Sequence, residues 1–262
     1  MTLSPTEIKA CCATTYAGPV ARFLLGDSFH PGGTALTSKL LRALQVDSSA
    51  TVVDVASGPG TSAIFAAQEL GCSVIGVELS GESVGAATRA AAAADVAGRV
   101  TFVQGDAEDL PLETASADGV LSECSLCLFP DKAAAVSEMA RVLRPGARLA
   151  LSDVTADPTR LPEELTGLGA WIACVADARP LTDVASLLEE AGLSVESSEE
   201  HDRLLQDIVS RVEARLRVAR LAQPELGDDV ASGIARGIAL VPVVQAAIAD
   251  GALGYGVVVA RR

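Results

Sequence analysis

The chain has 262 residues, a formal net charge of -14 and an aromatic content of only 3%. This length suits one large domain or one domain with an appendage, and the acidic balance argues against an unassisted nucleic-acid-binding protein, which needs a basic surface. No uninterrupted apolar run reaches the roughly 18–20 residues of a membrane span, and the N-terminus does not resemble a signal peptide, so we expect a cytoplasmic protein without nucleic-acid or membrane partners. The six cysteines are then expected to be thiols rather than structural disulfides.

Residues 1–47 are predicted to form an N-terminal cap of helices and loops. The segment Ser4-Pro5-Thr6-Glu7 has the residues of a capping box, with proline in the first turn. Turn-forming residues are dense in Gly26–Gly33, which predicts a loop. An amphipathic helix follows over Thr37–Leu44 and leads to the first strand.

Strands and helices then alternate over the next hundred residues. Five short apolar strands are predicted over Thr51–Val55, Ser73–Val77, Val100–Val103, Gly119–Ser122 and Arg148–Asp153. The helices between them are predicted at about Ser62–Leu70, Gly81–Ala97 and Asp131–Leu143. This alternation is typical of an α/β fold with a parallel sheet buried on both faces, in which ligands bind at the carboxyl ends of the strands.

The remaining residues continue the domain, which we place at 48–262. Helices are predicted around Leu165–Cys174 and over Leu181–Ala191, and strand six over Leu193–Ser197. Residues 202–250 read as a helical insertion, broken at Gln223-Pro224, that would serve as a lid or a homodimer contact. Gly254–Ala260 is the last predicted strand.

The end of the first strand carries the strongest functional signal. After Asp54 the chain makes a small-residue turn with Gly58 and Gly60, and a helix follows from about Thr61. Small residues let a ligand approach the backbone, and a helix N-terminus offers unpaired N–H groups, so the unit favours a nucleotide-like ligand. Glu78, at the end of the second strand, is placed to accept hydrogen bonds from ribose hydroxyls.

Two further segments complete a recognisable pattern. Gly105-Asp106-Ala107 follows the third strand with an acid suited to an adenine amino group, and Leu143-Arg144-Pro145-Gly146 precedes the fifth strand. Together these segments resemble the class I S-adenosylmethionine (SAM)-dependent methyltransferases. The resemblance implies a Rossmann-like sheet of seven strands with the last one antiparallel, helices on both faces, and SAM as cofactor. The implied cofactor-binding residues are Asp54, Ala56, Gly58, Gly60, Thr61, Glu78, Leu79, Asp106, Ala107 and Ser122.

Three cysteines are candidates for the acceptor site, and one of them follows the fourth strand, where the acceptor of a methyltransferase meets the methyl group. Cys12 belongs to the N-terminal cap, Cys124 follows the fourth strand, and Cys174 lies in the second half of the chain. We expect these three thiols to be functional. Cys72, next to a strand start, is expected to be a buried hydrophobe, and Cys127 is expected to face away from the pocket.

The thiol-bearing segments resemble those of the arsenite methyltransferases. Ala10-Cys11-Cys12 matches that family's N-terminal segment, and Cys124 and Cys174 match its two later cysteines, whereas Glu123 and Cys127 replace asparagines of the family's pattern. The resemblance implies that Cys11 or Cys12, together with Cys124 and Cys174, binds trivalent arsenic. The substrate would be arsenite or another thiophilic metalloid, alone or as a thiol conjugate, and a thiol reductant would take part. Soft thiolates suit such a centre, and its lone pair attacks without a general base.

Two alternatives stay open at this stage. The chain could methylate carbon, nitrogen or oxygen of an apolar small molecule, with the cysteines incidental, or it could bind a metalloid without catalysis. The two histidines do not decide between them. His30 either braces its glycine-rich loop or contacts the cofactor carboxylate, and His201 is expected at the surface.

Overall fold

A single seven-stranded sheet lies at the centre of the computed structural model, which describes residues 4–166, 175–221 and 228–262. Its strands are β1 (Thr51–Val55), β2 (Ser73–Glu78), β3 (Val100–Gln104), β4 (Ala117–Glu123), β5 (Leu143–Ala156), β6 (Ser194–Glu200) and β7 (Leu253–Arg261). The order across the sheet is β3-β2-β1-β4-β5-β7-β6, and β7 runs antiparallel to both of its neighbours. This confirms the predicted Rossmann-like sheet with an antiparallel last strand.

The strand β1 consists of mostly β-branched, buried residues, and β7 is buried along nearly its whole length, because helices cover both faces of the sheet. In the described parts of the chain the helices are α1 (Pro5–Ala17), α2 (Pro19–Leu25), α3 (Gly33–Leu44), α4 (Thr61–Leu70), α5 (Gly81–Ala93), α6 (Lys132–Val142), α7 (Leu181–Glu190), α8 (Asp202–Leu221) and α9 (Asp228–Ala249). One face packs against α3, α4, α5, α8 and α9, and the other against α6 and α7.

A glycine pair fixes the distance between α4 and the sheet. A Cβ atom on Gly60 or on Gly76 would lie 2.5 Å from the ring of Phe102. Only glycine at both positions lets this β3 side chain lie over β2 and against the start of α4. The turn before α4 is therefore held against the sheet by packing as well as by its own backbone.

Several boundaries differ from those predicted. The α5 helix ends at Ala93 rather than Ala97. The β5 strand begins at Leu143 because the predicted Arg144-Pro145-Gly146 turn is an irregularity inside the strand, where the register with β4 shifts and Gly146 has φ +84°. The predicted capping box at Ser4 and Glu7 is present. The helix predicted around Leu165–Cys174 falls mostly on residues 167–174, outside the described residues.

The α9 helix contains a long, mostly apolar segment. Arg236 and Gln245 interrupt the run, but Ala231–Ala249 is long enough and has a high enough mean hydropathy, 1.5, to cross a membrane. The lack of an uninterrupted apolar run in the sequence therefore does not by itself exclude a helix that passes this test of length and composition. The helix packs against α8 and β7, and this packing accounts for part of its apolar surface.

Candidate active site

A cleft lies at the carboxyl ends of β1 to β4 and is bordered on one side by α1 and the loop between α2 and α3. It encloses about 1030 Å³ of space, part of it open to solvent. Residues after all four strands contribute to the walls, as the crevice rule for open α/β sheets requires.

The turn after β1 forms the floor of the cleft with its backbone. Ala56, Gly58 and Gly60 have positive φ angles of 59°, 53° and 83°, and the Ser57 N–H donates to Val77 O at 3.0 Å. The N-cap residue of α4, Gly60, has no side chain to cap the helix, which begins at Thr61, and the Ala63 N–H of the first turn donates to the Asp54 carboxylate. The partial positive charge of this helix end favours an anionic group such as a carboxylate.

Glu78 closes the same turn from the end of β2. Its carboxylate accepts hydrogen bonds from the Gly58 N–H at 2.9 Å and the Ser80 N–H at 2.8 Å. Burial raises its pKa above the ordinary value, although both hydrogen bonds oppose that shift. The carboxylate lines the cleft and keeps lone pairs for the two hydroxyls of a ribose.

Asp54 is a buried carboxylate in unfavourable surroundings. Its side chain is only 2% exposed, and Oδ2 has no hydrogen-bond partner. Burial, followed by repulsion from Glu123 and Glu78, raises its pKa well above the ordinary value. Within the described residues, the other buried side-chain atom without a partner is Ser57 Oγ. Buried polar atoms are almost always paired, so two unpaired atoms in one cleft, Asp54 Oδ2 and Ser57 Oγ, fit a polar ligand. A ligand ammonium would be a suitable donor to the carboxylate.

Leu79, Asp106 and Ala107, which the sequence predicts to bind the cofactor, all line the cleft. Asp106 also receives the ammonium of Lys9 from α1 at 2.7 Å, and Glu108 receives it at 2.5 Å. Burial works against the charge of Lys9, but these two carboxylates outweigh it and raise the pKa of Lys9 above its ordinary value. These ion pairs join the N-terminal cap to the segment after β3. The sequence did not suggest this contact.

Two of the predicted thiols lie in this cleft. Cys12 of α1 and Cys124 after β4 both line it, although 112 positions separate them in the chain. Cys124 has φ +54°, a conformation that costs a non-glycine residue about 1–2 kcal/mol, and its N–H donates to Ser152 O at 2.7 Å. Such a conformation persists where the surrounding structure imposes it, and it is more common at functional sites.

The remaining cysteines take other positions. Cys11 is half-buried and does not line the cleft, so the structure favours Cys12 of the adjacent pair. Cys127 is buried outside the cleft wall, and its backbone N–H donates to Asp153 Oδ2 at 3.1 Å. Cys72 is fully buried in the core, as predicted. Cys174 lies outside the described residues. In the described parts of the chain, no three His, Cys, Asp or Glu side chains are arranged to hold a metal ion.

A buried polar cluster lies beside Cys124. The Glu123 side chain is 3% exposed and lies 3.5 Å from His30 Nδ1. It accepts hydrogen bonds from the hydroxyls of Ser62 at 2.6 Å and Thr37 at 3.1 Å. His30 is therefore a buried member of the cleft wall, which is more than the loop brace that its sequence context suggested.

An aromatic wall was also missed by sequence reasoning. Tyr16, Phe29 and Phe129 line the cleft, and the rings of Tyr16 and Phe29 are 6.1 Å apart. These residues come from α1, the loop between α2 and α3, and the segment after β4, so no sequence periodicity connects them. The only signal was their position in segments already assigned to the site.

Two of the predicted cofactor-binding residues, Ser122 and Gly60, do not line the cleft. Ser122 is 1% exposed, and its hydroxyl is 2.7 Å from that of Ser125, away from the cleft surface. Gly60 caps α4 and packs on Phe102 without lining the cleft. The others, Asp54, Ala56, Gly58, Thr61, Glu78, Leu79, Asp106 and Ala107, all line it.

Comparison with known proteins supports the reading of this cleft. A family model described as "Methyltransferase domain" matches residues 53–151. The arsenite methyltransferase of Halobacterium salinarum is 38% identical over 150 residues, covering 54% of this chain and 37% of that protein. The O-methyltransferase rstn1 of Aspergillus nomiae is 32% identical over 169 residues, covering 64% of this chain and 75% of that protein.

A solved structure extends the likeness to the whole fold. The phosphoethanolamine N-methyltransferase 2 of Haemonchus contortus, in complex with SAM, superposes with a TM-score of 0.82 at 20% identity, covering all of this chain and 60% of that chain. The chain spans between 37% and 62% of the length of the first curated relatives that it matches. Acceptors of different chemistry are thus represented among its relatives.

Proposed function

This chain belongs to the class I SAM-dependent methyltransferases, and we propose that it methylates trivalent arsenic held by cysteine thiolates. The single observation that carries the proposal is that Cys12 and Cys124 line the cofactor cleft together. The arsenite methyltransferase relative supports the same choice. The O-methyltransferase relative has similar identity, so the argument depends on the thiols.

The cofactor supplies an electrophilic methyl group on a sulfonium. The chain contributes a cleft in which Asp54 and Ser57 offer unsatisfied polar atoms, Glu78 suits the ribose, and Asp106 suits the adenine amino group. The N-terminus of α4 suits the carboxylate. These groups bind and orient the cofactor, so catalysis rests mainly on positioning.

The acceptor end of the cleft has the chemistry of a soft, neutral substrate. Thiolates bind trivalent arsenic as a pyramidal adduct that keeps a lone pair, so no proton has to be removed from the nucleophile. Among the described residues of the cleft wall the basic side chains are Lys9 and His30, and Lys9 is already paired with two carboxylates. Such a wall gives little support to a multiply charged anionic acceptor, whereas arsenous acid is neutral at physiological pH.

A third thiol and a reductant complete the proposal. The sequence resemblance assigns the third position to Cys174, which stays a prediction because that residue lies outside the described residues. Forming the arsenic–carbon bond raises the formal oxidation state of arsenic by two, so two added thiols, which are oxidised to a disulfide, must return it to the trivalent state. Arsenite could also enter as its conjugate with such a thiol.

The deciding experiment measures S-adenosylhomocysteine (SAH) released from SAM with and without arsenite, in the presence of a thiol reductant. We expect arsenite-dependent release that is lost in Cys12→Ser and in Cys124→Ser. Cys11→Ser is the matched control, since it removes the adjacent thiol of the same helix without touching the cleft. Retained turnover in both cleft variants would refute the assignment.

The same experiment separates the two alternatives. The aromatic wall of Tyr16, Phe29 and Phe129 favours, as the second candidate, O-methylation of an apolar hydroxylated acceptor. That activity would be independent of arsenite and insensitive to the cysteine variants. A non-catalytic metalloid-binding protein would bind arsenite through the same thiols and release no SAH.

A further inference from the structure

Glu123 is the residue of the cleft whose role the family pattern leaves unexplained. It is the last residue of β4 and directly precedes Cys124, and its side chain is 3% exposed. An acid buried at the centre of a site must be held by its surroundings, because isolated buried charges are strongly unfavourable. The question is what a carboxylate contributes at this position.

The surroundings of Glu123 suit a carboxylate anion. Oε2 accepts from the Ser62 hydroxyl at 2.6 Å, and the Thr37 hydroxyl approaches both oxygens at 3.1 and 3.2 Å. His30 Nδ1 lies 3.5 Å from Oε1. Groups from α3, α4 and the loop before α3 therefore surround and orient this one carboxylate.

The negative charge of Glu123 also acts on the neighbouring carboxylate. Asp54 lies close enough for Glu123 to be, after burial, the largest cause of the raised pKa of Asp54. Asp54 Oδ2 is at the same time a fully buried oxygen without a partner. This part of the cleft is therefore arranged for a ligand that carries positive charge.

The cofactor and its product differ in charge at one atom. SAM carries an ammonium, a carboxylate and a sulfonium, so its net charge is +1, whereas SAH has lost the sulfonium charge and is neutral overall. Groups that bind the ribose or the adenine meet the same partners in both molecules. Only a charge near the sulfur can separate the two. The sulfur lies between the nucleoside and the acceptor, and Glu123 lies beside Cys124 at the acceptor end.

We propose that Glu123 sets the preference of this site for the cationic cofactor over the neutral product. Its carboxylate stabilises the sulfonium form and loses that interaction once the methyl group has left, which favours exchange of SAH for fresh SAM. Glu123 is thus a specificity residue for cofactor charge. This role is independent of the acceptor and would hold even if the arsenic assignment failed.

The test measures dissociation constants of SAM, SAH and sinefungin by titration calorimetry, without acceptor. Sinefungin carries an ammonium-bearing carbon in place of the sulfonium, so it reports on charge without methyl transfer. A charge pair a few ångströms apart in a partly buried site changes a binding constant by about tenfold or more. We therefore expect Glu123→Gln to reduce the ratio of the SAH to the SAM dissociation constant by about tenfold, with sinefungin following SAM.

Two variants control for a purely structural effect. Glu123→Asp keeps the charge and should retain most of the preference. Glu78→Gln perturbs an acid of similar burial that faces the ribose, so it should weaken SAM and SAH by the same factor and leave their ratio unchanged. Equal weakening of both ligands in Glu123→Gln would overturn the proposal.

The unmodified chain gives an independent test that does not depend on a variant folding. We expect both cationic ligands to bind the wild-type protein about tenfold more tightly than SAH. Binding of SAH as tight as that of SAM and sinefungin would refute the role of Glu123.

Discussion

Replacing Asp54 with asparagine should make the protein more stable and its cofactor binding weaker. The substitution keeps an oxygen for the Ala63 N–H, which the Asp54 carboxylate accepts. It removes a buried negative charge that faces Glu78 and Glu123 and whose Oδ2 has no partner. In the absence of cofactor, the folded state therefore no longer holds three neighbouring carboxylates together.

The size of the gain follows from the negative charge, because asparagine also places a polar group at the position of Oδ2. An unsatisfied buried group costs about 1–3 kcal/mol, and more when it is charged, so removing the charge recovers an amount of this order. We expect Asp54→Asn to raise the free energy of unfolding by about that amount at pH 8, with about 2–4 °C in melting temperature for each kcal/mol in a chain of this size. The affinity for SAM should fall because the ligand ammonium loses its anionic partner.

The pH dependence gives the sign of the effect. The pKa of Asp54 is raised on folding, first by burial and then by Glu123 and Glu78. The folded state therefore binds this proton more tightly, and ionising Asp54 lowers stability as pH rises above about 3.9, its unfolded value. The advantage of the variant should be largest above the raised pKa and should shrink as pH falls toward the unfolded value.

Asp118→Asn is the matched control with the opposite sign. Burial acts to raise the pKa of Asp118, but the Thr51 N–H and the Arg144 guanidinium outweigh it and hold that pKa below its ordinary value. Its ionised form stabilises the fold above the unfolded pKa, so the substitution should lower the melting temperature at neutral pH. Thermal melts of both variants and of the wild-type protein at several values between about pH 5 and pH 8 check these two signs. A melting temperature of Asp54→Asn below wild type at pH 8 would refute it.

Two further predictions concern the turn before α4 and the N-terminal cap. Gly60→Ala should lower the free energy of unfolding by about 2–4 kcal/mol, because a Cβ atom there would lie 2.5 Å from Phe102 in a backbone with φ +83°. In Gly58→Ala the nearest neighbour of the new Cβ atom is 4.0 Å away, so only about 1–2 kcal/mol of backbone strain is expected. Equal losses of stability in denaturant unfolding would contradict the packing argument. Lys9→Met removes the ammonium that joins α1 to Asp106, so limited proteolysis within α1 should become faster, and an unchanged cleavage rate would show that this pair does not hold the cap in place.

Most of the sheet and its cofactor edge could be predicted because their signals are local. The β-branched run of β1 ending at a small-residue turn, the acid at the end of β2 and the acid after β3 each lie within a few residues of the feature that they accompany. The parallel order then places strand ends together without further information. Ser122 illustrates the limit of this reasoning: a strand-end position does not fix what a side chain contacts, and the Ser122 hydroxyl is buried against that of Ser125 and does not line the cleft.

The cysteine-bearing segments could be identified from sequence, but the choice of thiol could not. Cys11 and Cys12 are adjacent, and only the rotation of α1 against the sheet decides that Cys12 reaches the cleft. Cys124 and Cys127 are three residues apart, and the left-handed backbone at Cys124 decides that the first of them lines the wall. Both outcomes depend on packing between distant elements.

The sequence by itself determined the α/β order, the cofactor turn and the acids at the strand ends, because hydrophobic periodicity and turn chemistry act over a few residues. Tertiary structure alone decided that His30, Thr37 and Ser62 surround the Glu123 carboxylate, and that Lys9 crosses the cleft to Asp106. These contacts join residues 61 to 97 positions apart in the chain. Their geometry is set by how whole helices pack on the sheet, which no local pattern encodes.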